Sequence, residues 1–94
     1  MADRIMTIHP ENSKAGVNID RVKYEAIREA IIESIRENGE IAFQELPGSV
    51  DKHRGGAFDG SIGWYVTTVK LDLEARGVIE RIPRSNPQRL RLVE

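Results

Sequence analysis

Tyr24, Ile27, Ile31 and Ile35 recur at steps of three, four and four residues, with Ile32 beside them. That spacing lines one face of an α-helix. Glu25, Arg28, Glu29, Glu33, Arg36 and Glu37 occupy the remaining positions, Asp20 is a good N-cap and Asn38-Gly39 supplies a stop. The pattern predicts an amphipathic helix over residues 21–38 with its apolar stripe in the core. Glu40-Ile41-Ala42 reads as a short extended link. Phe43, Leu46 and Val50 repeat the spacing of three and four, which predicts a second, shorter helix over residues 43–54. Pro47 either lies in the first turn of that helix, where its missing N–H costs little, or splits the segment.

Residues 55–60, GGAFDG, form a glycine-rich loop, and Ser61 or Asp59 caps the helix that follows. Over residues 62–76 a step of about 100° per residue gathers Ile62, Val66, Val69 and Leu73 into one core-facing sector. The opposite face carries Trp64, Thr67, Thr68 and Leu71, with Lys70 and Ala75 at its margins. Gly77 ends the helix. Val78-Ile79-Glu80-Arg81-Ile82 and Leu90-Arg91-Leu92-Val93 partly alternate apolar with charged residues, as half-buried strands do, and Pro83 and Pro87 bracket the turn between them. Residues 1–19 show no sustained period. Met6 and Ile8 suggest an extended piece, residues 11–16 are turn-like, and the segment reads as an arm that packs on the domain or a flexible leader.

Length and composition narrow the class. A chain of 94 residues makes one domain, and 39% apolar with 31% charged residues marks it as globular. There is no cysteine, which removes disulfides, thiol catalysis and zinc fingers together. No apolar run reaches the roughly 20 residues of a membrane span, and the first ten residues lack the apolar core of a secretory leader. No membrane partner is expected, and the cytoplasm is the expected location. The net charge of −1 is uneven: residues from Arg76 onward carry +3, and those before them −4. A local positive surface of this kind can meet phosphates, or can simply keep a hairpin edge soluble.

No residue set points to catalysis or to a cofactor, and no metal site is expected. His9 beside Pro10 reads as a turn residue. His53, between Lys52 and Arg54, reads as a solvated helix end, with a phosphate contact as the lesser alternative. The glycines at 55–56 lack the lysine of a phosphate loop. The Gly60–Gly63 spacing matches the GxxG of a KH module, but the order of elements does not.

The element order is helix, short strand, helix, helix, strand, strand. The junction LEARGVIERIP, with Leu73, Gly77, Val78, Ile79 and Glu80-Arg81, resembles winged helix-turn-helix domains. The strings KAGVNIDRVKY and GWYVTTVKLDLEARG also look like a family of small bacterial proteins with no assigned function. The resemblance implies an α+β winged-helix fold over residues 20–94, with residues 1–19 as an N-terminal arm. It further implies a small transcription-associated regulator that binds double-stranded DNA through its third helix and basic wing. On that reading Ser61, Thr67, Thr68 and Lys70 serve the helix contact, and Arg81, Arg84, Arg89 and Arg91 serve the wing. The residues themselves support an alternative. The outward face of the third helix has no arginine, asparagine or glutamine to read base edges. It has Trp64 and Leu71, an apolar pair suited to a protein partner, a homodimer or a cover formed by the arm.

Overall fold

The computed structural model describes residues 3–11, 14–54 and 60–93 of the chain. It is an α+β structure of three helices and two small antiparallel sheets. Its elements are β1 (Arg4–Met6), β2 (Asn18–Asp20), α1 (Arg21–Asn38), β3 (Glu40–Ala42), a 3-10 turn (Phe43–Glu45), α2 (Leu46–Arg54), α3 (Ile62–Ala75), β4 (Ile79–Arg81) and β5 (Arg89–Leu92). No helix among the described residues is long and apolar enough to cross a membrane.

Local chemistry sets the boundaries. The Asp20 carboxylate accepts from the amides of Val22 at 2.8 Å and Lys23 at 3.3 Å, satisfying two of the orphan donors that open α1. Gly39 ends the helix at φ +79°, a conformation that side chains oppose. Before α2 the chain makes one 3-10 turn and then restarts at Leu46, so Pro47 stands in the first helical turn, where it has no N–H to lose. Ser61 caps α3, its hydroxyl accepting from the Trp64 amide at 3.4 Å. The alternative cap, Asp59, and most of the glycine-rich loop lie outside the described residues.

The core lies between the three helices and the larger sheet. Tyr24, Ile27, Ile31 and Ile35 on α1, Leu46 and Val50 on α2, and Val66, Val69 and Leu73 on α3 are all buried. Ile62 is half-buried. Each fully buried aliphatic side chain contributes about 1.5–3 kcal/mol relative to its exposed state, which makes this cluster the main source of stability. Ser34 is a polar exception. Its hydroxyl donates to the Ala30 carbonyl at 2.7 Å and accepts from the Ser49 hydroxyl at 2.7 Å, joining α1 to α2.

In the larger sheet β5 is central, in the order β3-β5-β4, with Ile41 opposite Leu90 and Glu80 opposite Arg91. The β4–β5 connection is held by Ser85, whose hydroxyl donates to the Ile82 carbonyl at 2.7 Å and accepts from the Arg89 amide at 3.0 Å. Arg84 in this loop adopts φ +62°, and the Asn86–Pro87 peptide is cis.

The segment before α1 forms the second sheet. β1 pairs with β2 in the register Ile5–Ile19, which turns Ile19 into the core at 4% exposure. Beyond β1 the chain makes a loop that Thr7 closes. Thr7 donates its amide to the Val17 carbonyl at 2.8 Å, and its hydroxyl accepts from the Val17 amide at 2.8 Å. Gly16 makes that closure possible, because a Cβ there would stand 1.7 Å from the Thr7 carbonyl oxygen.

Candidate interaction face on the third helix

Three structural groups set the chemistry of α3: its exposed first turns, a pair of buried charges flanking its apolar stripe, and the loop that lies along it. Ser61, Trp64 and Thr67 are exposed, with Trp64 at 47%. Thr68 and Leu71 are half-buried. The Trp64 ring stands edge-on to Tyr65 with centroids 5.0 Å apart. Its indole N–H has no acceptor among the described residues.

Lys70 does not lie at the margin of this face. It is 3% exposed, with its ammonium 4.6 Å from the Phe43 ring centroid and 3.3 Å from the Glu74 carboxylate. Burial lowers its pKa, opposed by the attraction of Glu74. Glu74, itself nearly buried, also accepts from Arg81 Nε at 2.7 Å, and this hydrogen bond raises the arginine's pKa. Lys70 is therefore a structural cation, turned inward, and gives nothing to a phosphate.

Asp72 is the counterpart on the other flank of the stripe and is fully buried. Its Oδ1 accepts from the Ile8 amide at 2.8 Å, its Oδ2 accepts from the Tyr24 hydroxyl, and both oxygens receive Arg76 Nε at 2.9 Å. One carboxylate thus ties the arm, α1 and the end of α3 together. Burial, reinforced by the bond to Asp72, pushes the Tyr24 phenol up to about 12, and the Asp72 hydrogen bond raises the pKa of Arg76. Sequence reasoning missed this hub. The available signal was angular: Lys70 and Asp72 sit about 70° and about 90° to either side of the stripe's centre on a helix of 3.6 residues per turn, close enough to be buried when neighbouring elements cover both flanks.

The arginines that the resemblance assigns to a wing are largely matched. Arg81 pairs with Glu74, Arg89 with Glu40 at 2.6 Å and Arg91 with Glu80 at 2.6 Å. Arg84 is exposed and has no carboxylate partner among the described residues. The positive tail counted along the sequence is, in space, largely ion-paired: Arg89 and Arg91 each hold a carboxylate, Arg81 shares Glu74 with Lys70, and among the described residues Arg84 is left without one.

The arm loop lies beside α3. Between them is a cleft of about 120 Å³ whose walls include Ile8 and Val17 from the loop and Trp64, Thr68 and Leu71 from the helix. Ile8 and Val17 remain 45% and 38% exposed, so they extend the apolar face that Trp64 begins. No charged side chain of α3 reaches this face: Lys70, Asp72 and Glu74 are buried or paired as described above. Among the described residues no group of three or more histidine, aspartate or glutamate side chains is placed to hold a metal ion.

Comparison with known proteins gives a family and no function. No curated protein and no solved structure matches the chain. A family model, described as a family of unknown function, DUF6958, matches residues 4–90. That match takes in most of the arm, the three helices, the larger sheet as far as Leu90 and the face just described, and the chain therefore belongs to the DUF6958 family of unknown function.

Proposed function

We propose that the chain is a protein-interaction module on a winged-helix scaffold, docking a partner protein on the outward face of α3. Support for the scaffold comes from the element order and from the β3-β5-β4 sheet, with the β4–β5 loop in the place of a wing. The observation that carries the function is an exposed tryptophan on a face that, among the described residues, has no charged side chain. Phosphate contact needs cations, and duplex affinity rises with the number of phosphates they neutralise. Here Lys70 is buried, and three of the four wing arginines already hold carboxylates. Protein interfaces, in contrast, are depleted of charge at their centre and enriched in exposed aromatic anchors such as Trp64. A cytoplasmic setting, expected from the cysteine-free composition, belongs to the same reading.

A second reading is a transcription-associated regulator that grips duplex DNA, and one observation favours it: Arg84, at the loop beside β5, has no carboxylate partner among the described residues. Photo-crosslinking separates the two. A benzoylphenylalanine at Thr67, in the middle of the exposed face, should give a discrete protein adduct in cells that survives nuclease. The same group at Glu33 on α1 should give none. An adduct with a second copy of the chain supports docking as a homodimer. A nuclease-sensitive adduct at Thr67 overturns the docking reading.

A further inference from the structure

The cleft between the arm loop and α3 has a size and a chemistry that restrict what can enter it. At about 120 Å³ it holds the equivalent of about four water molecules at roughly 30 Å³ each, and approaches the about 150 Å³ of an apolar cavity that admits benzene. Sites for small-molecule ligands and cofactors start near about 300 Å³, so the cleft does not enclose a metabolite-sized ligand. A docked helix presents anchors at i, i+4 and i+7 along a groove, and this cleft takes only one.

Its chemistry is equally restrictive. Among the described residues, none of the lining side chains is a carboxylate, an ammonium or a guanidinium. His9 stands at its rim, its Nδ1 accepting from the Glu11 amide at 3.1 Å. A phosphate or charged side chain placed there would lose its water and find no opposite charge, a costly exchange. An uncharged aliphatic group meets Ile8, Val17 and Leu71 instead. Trp64 also lines the cleft, and its indole N–H has no acceptor among the described residues. The walls are fixed in advance: the Ile8 amide is bonded to Asp72 and the loop is closed through Thr7 and Gly16. Such preorganisation reduces the ordering cost of binding.

We infer that this cleft is a slot for a single aliphatic side chain, of leucine, isoleucine or valine size, carried at a turn or chain end of the partner protein. The inference rests on the docking reading above and names the anchor that the partner must supply.

The test is an NMR titration of the isotope-labelled full chain with N-acetyl-leucinamide, against the amide of N-acetyl-glutamic acid. The leucine probe should give saturating shifts at Ile8, Val17, the Trp64 indole, Thr68 and Leu71, with a dissociation constant on the order of millimolar for so small a ligand. The glutamate probe should give none. Thr68→Phe plugs the slot and should weaken leucinamide binding about tenfold or more, equivalent to losing one well-packed group. Glu33→Phe, on α1 and outside the slot, should bind as the parent does. Val17→Phe fills the slot from the loop side and provides the same readout should Thr68→Phe not fold. Absence of saturating shifts, equal binding of the two probes, or full binding by both plugged variants overturns the slot. Loss of the slot with the nuclease-resistant protein adduct at Thr67 retained would leave the docking reading in place; loss of both would remove both.

Discussion

Replacing Asp72 by alanine tests whether one buried carboxylate holds the arm, α1 and α3 together. The substitution strips the acceptor from the Ile8 amide and the Tyr24 hydroxyl and the partner from Arg76. A buried donor left without an acceptor costs about 1–3 kcal/mol, so the two donors together cost about 2–6 kcal/mol. Arg76, with 37% of its side chain exposed, regains water and adds little. Removing the buried charge of Asp72 also relieves its own desolvation, which places the net loss at about 2–4 kcal/mol. A 94-residue domain has roughly 5–14 kcal/mol in total, so the variant folds but is clearly weakened. With a urea slope of about 1–1.5 kcal/mol/M for a chain of this size, the midpoint should fall by about 2 M. The Ile8 amide should lose its protection from hydrogen exchange. Tyr24→Phe in the same cycle supplies the specificity. The Asp72→Ala and Tyr24→Phe losses should fail to add by at least about 1 kcal/mol, because both remove the same contact. A loss below about 1 kcal/mol for Asp72→Ala, or additivity within about 0.5 kcal/mol, refutes the hub.

Three further outcomes follow from the same geometry. Neutral Tyr24 is favoured in the fold, so its contribution is complete below pH 10 and is lost as pH rises from 10 through about 12, a loss of about 2–3 kcal/mol. The difference between the parent and Tyr24→Phe in denaturant unfolding across that window isolates this term from Lys70, which shifts the other way; a flat difference contradicts it. Gly16→Ala drives a Cβ to 1.7 Å from the Thr7 carbonyl oxygen, so the loop must open at a cost of about 1–3 kcal/mol, seen as a lower urea midpoint and altered Trp64 emission. Asp20→Ala should cost about 1 kcal/mol in the same assay, as the loss of an N-cap does, with the Val22 and Lys23 amides exchanging faster; an unchanged midpoint would show that α1 starts without its help.

Much of the fold was legible because the decisive signals are local. The Tyr24–Ile35 stripe, the Asp20 cap and Gly39 delimit α1 as the periodicity predicts. On α3, Val66, Val69 and Leu73 are wholly buried, as their shared sector requires. Periodicity gives the centre of a buried sector but not its width. The width depends on what covers the flanks, and Phe43 and the arm loop are remote in sequence from Lys70 and Asp72. The charge of the C-terminal segment misled for a related reason. Counting arginines from Arg76 onward omits partners brought by the sheet: Glu80 stands directly opposite Arg91, and Glu40 lies one diagonal step from Arg89. Linear charge counts therefore overstate the field that a phosphate would meet.

The claim that α3 presents an uncharged docking face is tested most directly by titrating the isotope-labelled chain with a short mixed-sequence duplex at low and at moderate salt. No salt-sensitive shifts are expected over residues 61–71, with at most a weak response at Arg84 that vanishes at moderate salt. Saturable, salt-steep shifts clustered over residues 61–71 and 81–91 would contradict it and return the face to nucleic acid.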